Sequence, residues 1–125
     1  MIFGIGTDII EVERMKKHLE DNDALREKLY TTAEQQYCTR GKVTMYQCYA
    51  ARFAAKEAFF KALGTGYRYG MSFCEIEVLN DELGKPYVNP HGKVKEYLTE
   101  QKINHIHLSI SHVKSVASAM VVLER

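Results

Sequence analysis

The residues from Met45 to Leu63, MYQCYAARFAAKEAFFKAL, have the composition of one long helix with almost no polar side, stopped by Gly64 and Gly66. A helix apolar nearly all round has to be covered on every side. The rest of the chain must therefore wrap around it, and its few charges, Arg52, Lys56, Glu57 and Lys61, become the informative positions.

The flanking segments supply that cover. Residues 2–10 are apolar and β-branched, which predicts a strand with Gly4, Gly6 and Asp8 on one face and Phe3, Ile5, Thr7 and Ile9 on the other, leaving Asp8 beside open space. Val12, Met15 and Leu19 recur at helical spacing and predict an amphipathic helix from about Glu11 to Leu19. A short helix follows at 24–29, and Thr31 with Glu34 forms a capping-box pattern for a third, ending near Arg40 and Gly41. Beyond the long helix, FCEIEVL (73–79) and KPYVN (85–89) flank a turn and predict a hairpin. A helix is expected over 92–101, an alternating strand over 105–111, and a mostly buried strand over 116–124. The sum is an α+β fold, a mostly antiparallel sheet packed against a long central helix, in one domain spanning residues 1–125.

Charge excludes some function classes. Lys and Arg number 17 against 16 Asp and Glu, a balance that argues for neither nucleic acid nor a membrane as partner. The N-terminus lacks the pattern of a secretory signal and no stretch reaches 18 apolar residues, so a cytoplasmic protein is expected. Cys38, Cys48 and Cys74 make an odd number without a C-x-x-C pair, which predicts reduced, structural thiols and no thiolate zinc site.

On the long helix Arg52 and Lys56 are like charges four residues apart, an unfavourable spacing that invites an anion. Glu57 and Lys61 have the favourable i,i+4 order, so Glu57, set among Ala50, Phe53 and Ala54, is either a structural ion-pair member or a ligand. Asp8 is likewise open between two roles. DIIE has the D-x-x-E spacing of a helix cap, while Asp8 meeting Glu57 makes an all-oxygen site for Mg²⁺.

GTG at 64–66 is first a helix stop and only second a phosphate-contacting turn. In HIHLSISH the alternation places His105, His107, Ser109 and Ser111 on one face. That face is either solvent-facing or ligand-lining, and zinc is disfavoured because no third ligand stands nearby.

Three segments in order, GIGTDIIEVERM, RFAAKEAFFKALGTG and HLSISH, resemble the holo-[acyl-carrier-protein] synthase family, the short class of 4'-phosphopantetheinyl transferases. The resemblance spans the whole chain. It implies Asp8 and Glu57 as ligands of Mg²⁺ bridged to the pyrophosphate of coenzyme A, with Glu57 and Lys61 catalytic. It implies Arg52, Lys56, Lys61, Gly64, Gly66, His107, Ser109 and Ser111 as contacts of that cofactor. Arg14, with Lys17 and Arg26 extending the surface, is implied to dock an acidic acyl carrier protein.

The implied reaction moves 4'-phosphopantetheine to a carrier-protein serine for fatty acid biosynthesis, and leaves open whether Glu57 or a water on the ion takes the serine proton. The single half-length implies a homotrimer with sites between subunits. Phe60 and Thr7 depart from the residues common in that family, and Phe60 is expected to alter helix packing or the pocket edge.

Overall fold

The computed structural model describes the chain from Met1 to Arg125. Strand β1 (Ile2–Glu11) runs into α1 (Val12–Leu19), α2 (Asp23–Leu29) and α3 (Thr32–Arg40), and a 3-10 turn leads to α4 (Met45–Leu63). A second 3-10 turn precedes β2 (Ile76–Asn80) and β3 (Pro86–Pro90), followed by α5 (Gly92–Glu100), β4 (His105–His112) and β5 (Val116–Glu124). The strands make an antiparallel three-stranded sheet in the order β1-β5-β4 and a separate β2-β3 hairpin.

Helix α4 is the centre of this arrangement. Its alanines 54, 55, 58 and 62 are buried, and with Phe59, Phe60 and Leu63 they join Val121 and Leu123 of β5 and Val78 of β2 in one core. A second cluster joins the start of α4 to α1–α3 through Tyr49, Leu19, Leu29 and Tyr30, whose hydroxyl donates to the Tyr49 carbonyl at 2.8 Å.

The contact between β1 and α4 is made backbone to backbone. A Cβ at Gly4 would stand 1.9 Å from the Ala62 carbonyl oxygen, and one at Gly6 1.8 Å from that of Ala58. The glycines therefore let the strand lie directly on the helix, and the open space expected beside Asp8 is filled by α4. At the far end Gly64 adopts φ 78°, and its N–H closes the helix onto the Phe60 and Lys61 carbonyls.

Local signals explain most boundaries. The capping box at α3 is formed: Thr31 Oγ1 accepts from the Glu34 amide at 3.3 Å, and Glu34 Oε1 accepts from the Thr31 amide at 2.9 Å. The strand expected from residue 73 starts only at Ile76, because Ser72 and Glu75 form their own capping box and wind Phe73–Glu75 into a 3-10 turn.

Strand β5 is buried on alternate residues rather than mostly buried. Ala117, Ala119, Val121 and Leu123 face α4, while Met120 is 50% exposed on the outer side together with Ile5 (58%) and Ile9 (69%) of β1. The expectation of three reduced thiols also fails. Cys38 and Cys48 form a disulfide joining α3 to α4, their Cα atoms 5.4 Å apart, and Cys74 alone is free. The turn between the two helices brings together thiols that carry no recognisable spacing motif.

Candidate active site

Asp8 leaves the middle of β1 on the side facing α4, paired in register with Ala119. It does not cap α1, whose N-cap position, Glu11, makes no side-chain capping bond. Instead Asp8 Oδ1 accepts from Lys61 Nζ at 3.0 Å, and the same ammonium donates to the Thr7 carbonyl at 3.0 Å. The ion pair expected between Glu57 and Lys61 is thus replaced, because β1 offers Lys61 two acceptors at once. The second oxygen, Asp8 Oδ2, is buried with no hydrogen-bond partner.

Glu57 projects from α4 into the same space, half-buried rather than enclosed by apolar groups. Its Oε1 accepts from the Tyr67 hydroxyl at 2.5 Å. The Tyr67 ring sits 5.0 Å edge-on to Phe60 and 4.9 Å from Phe73. Burial, the hydrogen bond to Glu57 and the charges of Glu57 and Asp8 push the phenol well above its usual range. The hydroxyl therefore remains a donor at any ordinary pH. Phe60, 2% exposed, does not itself line the cleft; it packs behind Tyr67, which does.

Asp8, Glu57 and Tyr67 line one cleft of about 670 Å³. Its floor is apolar, with Ile10, Met15, Leu29, Phe53 and Phe73, while Arg14 and His18 of α1 and Lys28 of α2 stand around it. Arg14 and His18 are one helical turn apart on α1. The donor set fits a hard divalent cation: two carboxylates from different elements, one of them with a buried oxygen lacking a partner, and a lysine beside them. No third carboxylate, histidine or thiol completes a metal-binding cluster, so a cation here keeps positions for water and for an oxygen-rich substrate.

Several residues expected at this site are elsewhere. Lys56 is fully buried behind it, donating to Glu34 Oε1 at 2.8 Å and to the Phe73 and Ile76 carbonyls at 2.9 Å each. Arg52, 4% exposed, donates to Asn80 Oδ1 at 2.6 Å and lies 4.4 Å over the Tyr37 ring. Lys56 spends its donors on three protein acceptors, whereas Arg52 keeps a buried Nε without a partner; the two like charges are given separate partners within the fold. Gly64 spends its N–H on the helix end, and Gly66, also in the left-handed region at φ 62°, lies in the exposed loop beyond.

The β4 residues face away from the carboxylates. Ser109 is in register with Met120, and Met120 with Thr7, on the outer face of the sheet, whereas Asp8 is on the inner face. His107, Ser109 and Ser111 are exposed there, with His107 Nε2 2.6 Å from Glu124 Oε1. That bond holds the Glu124 carboxyl below its usual range. Of the expected docking residues, Arg14 lines the cleft and Lys17 is exposed on α1. Arg26 is folded in, donating to the Leu19 carbonyl at 3.2 Å and stacked 5.5 Å over Tyr49.

Two participants escaped the sequence. Tyr67 lies ten residues from Glu57 across a glycine turn, a separation with no periodic signature. Glu34 carried only a capping signal, yet one carboxylate caps α3, pairs with Lys56 and accepts from the Val78 amide at 2.9 Å.

Known proteins are similar to the chain along nearly its whole length. Residues 4–121 match the model of the 4'-phosphopantetheinyl transferase superfamily. The holo-[acyl-carrier-protein] synthase of Trichlorobacter lovleyi is 50% identical over 125 residues, covering 99% of this chain and 98% of that protein. Among solved structures, the Neisseria meningitidis holo-[acyl-carrier-protein] synthase superposes with a TM-score of 0.89 at 37% identity, covering 100% of both chains. The Bacillus anthracis synthase, crystallised in complex with CoA (3',5'-ADP), gives 0.81 at 42% identity, covering 98% of this chain and 96% of that one. With the aspartate, glutamate and strand motifs of that class in their expected order, the chain belongs to the 4'-phosphopantetheinyl transferase superfamily, in its holo-[acyl-carrier-protein] synthase family.

Proposed function

We infer that the chain transfers the 4'-phosphopantetheine group of coenzyme A to a serine hydroxyl of an apo acyl carrier protein, serving fatty acid biosynthesis. The serine oxygen forms the new P–O bond, the pyrophosphate P–O bond breaks, and adenosine 3',5'-bisphosphate leaves as the serine proton is lost. The single observation that carries this reading is the buried, unpartnered Asp8 Oδ2 in one cleft with Glu57.

Phosphoryl transfer asks a protein mainly to position groups and neutralise charge. Asp8 and Glu57 are the residues that would hold Mg²⁺, which when bound supplies charge neutralisation to the pyrophosphate. Lys61, bridged to Asp8 and half exposed, adds a cation at the same edge. Glu57, which lines the cleft, is a candidate acceptor for the serine proton. The apolar floor of the cleft with Arg14 on α1 suits a carrier protein that presents acidic and apolar groups together.

The placement of β4 supports an assembly of like chains. Within one chain His107, Ser109 and Ser111 lie on the opposite side of the sheet from Asp8, so they reach a coenzyme only in a neighbouring copy's site. The outer face also leaves Ile5, Ile9 and Met120 uncovered, apolar surface of the kind that copies of a chain bury. A homotrimer with sites between subunits satisfies both. No helix is long and apolar enough to cross a membrane, and a cytoplasmic location suits the substrates.

The test is to incubate the chain with apo acyl carrier protein, coenzyme A and Mg²⁺ and weigh the carrier protein. A phosphopantetheine adduct that disappears with chelator or in Glu57→Gln supports the reaction and its ion. No adduct overturns it, leaving a module that binds coenzyme A without acting on it.

A further inference from the structure

We propose that Tyr67 is a positioning residue for the metal-binding carboxylate Glu57, held in place by Phe60 and Phe73. The inference rests on the ion site proposed above and adds to it a residue whose hydroxyl sets the direction of one ligand.

The Tyr67 hydroxyl is the only protein group hydrogen-bonded to the Glu57 side chain, at 2.5 Å on Oε1. Without it the carboxylate, half-buried on α4, is free to turn about its terminal torsions, which are broad for glutamate. With Oε1 engaged by Tyr67, Glu57 Oε2 carries no protein hydrogen bond, and Glu57 lines the same cleft as Asp8, whose Oδ2 has no partner. The two carboxylates are positioned by different means: Asp8 by Lys61 on its Oδ1, Glu57 by Tyr67 on its Oε1. Each keeps one oxygen without a protein hydrogen bond for a cation.

The ring is fixed although the loop that carries it is exposed. Phe60 meets it edge-on with planes at 89° and Phe73 lies 4.9 Å away, and Phe73 is in turn 5.6 Å from Phe60 and 5.5 Å from Phe53 of the cleft floor. Aromatic pairs at these separations favour such offset and edge geometries. Phe60 lies in α4 one turn from Glu57, so the helix that bears the ligand also bears the wall that aims its hydrogen-bond donor.

The decisive variant is Tyr67→Phe, which keeps the ring packing and deletes only the hydroxyl. Mn²⁺ binding to the assembled protein is read by electron paramagnetic resonance of the free ion, beside the Mg²⁺ dependence of transfer. The expected result is about a tenfold weaker Mn²⁺ affinity and a similar rise in the Mg²⁺ concentration for half-maximal rate, as for loss of a hydrogen bond to a charged group. KM for apo acyl carrier protein stays within about twofold and the melting temperature is unchanged. Phe60→Leu, which loosens the ring without touching the hydroxyl, shifts Mn²⁺ affinity in the same direction by a smaller factor. Unchanged or tighter Mn²⁺ binding by Tyr67→Phe overturns the positioning role. If wild type shows no transfer, the proposed reaction fails, and the Mn²⁺ comparison still decides the role of Tyr67.

Discussion

Lys56 Nζ lies 2.8 Å from Glu34 Oε1 with both side chains wholly buried. Burial pushes the lysine's pKa down while Glu34 pulls it up, and the ammonium also donates to the Phe73 and Ile76 carbonyls. The pair ties α3 and α4 to the turn before β2, immediately behind the Phe73 wall of the cleft. Removing one partner strands the other charge, so Lys56→Met is expected to cost about 3–5 kcal/mol in denaturant unfolding. The double variant Glu34→Leu with Lys56→Met removes the stranded charge but recovers only part of that loss, because it also takes the acceptor away from the Thr31 and Val78 amides. An exposed, phosphate-binding Lys56 would instead give a stable variant with impaired coenzyme A binding.

Gly6→Ala tests the β1–α4 contact. Its Cβ would stand 1.8 Å from the Ala58 carbonyl oxygen, a backbone atom that cannot step aside, so strand and helix must separate. Overpacking of this kind costs about 1–3 kcal/mol. Because Asp8 is two residues further along the same strand face, the Mg²⁺ requirement of transfer is expected to rise with the fall in melting temperature. A variant as stable as wild type would show that β1 does not need a glycine at position 6 to lie directly on α4.

The elements were legible wherever periodicity or punctuation carried them. The span of α4, the Thr31–Glu34 box and the strict alternation of β4 are local patterns, and each is found where the sequence places it. The two carboxylates and the Arg14 side of α1 were legible through the order of three motifs. What stayed hidden was partner choice, which depends on tertiary contacts: Lys61 turns to Asp8, Lys56 to Glu34, Arg52 to Asn80, and Cys38 to Cys48. A helical wheel ranks neighbours on one helix, and each of these partners lies on a different element.

Glu77 gives an acid dependence of stability. Burial acts to raise its pKa, but hydrogen bonds from His91, Thr31 and Asn89 outweigh it and the net direction is down. A carboxyl with a depressed native pKa stabilises the fold above its unfolded value, about 4.3. That contribution is lost as pH falls through the lower native value. Glu77→Gln should therefore be less stable than wild type near neutral pH, with the difference shrinking steadily below about pH 4.3. Parallel stability curves for the two proteins across that range would show that the network around the α3 cap does not depend on the Glu77 charge.

Arg14 and Arg26 separate docking from folding. Arg14 is exposed beside the cleft, whereas the Arg26 guanidinium is committed to the Leu19 carbonyl and the Tyr49 ring. Reversing an exposed charge at a rim acts on encounter with an oppositely charged partner and on its salt dependence. Arg14→Glu is therefore expected to raise KM for apo acyl carrier protein about tenfold or more at low salt. The effect narrows as salt screens the rim, and KM for coenzyme A holds within about twofold. Arg26→Glu, by contrast, breaks an internal bond between α2 and the end of α1 and lowers the melting temperature before it affects the carrier protein. Steady-state kinetics at two ionic strengths with thermal melts distinguish the two outcomes. Equal loss of carrier protein and coenzyme A in Arg14→Glu would remove α1 as the docking helix, and the apolar floor of the cleft would then need another occupant.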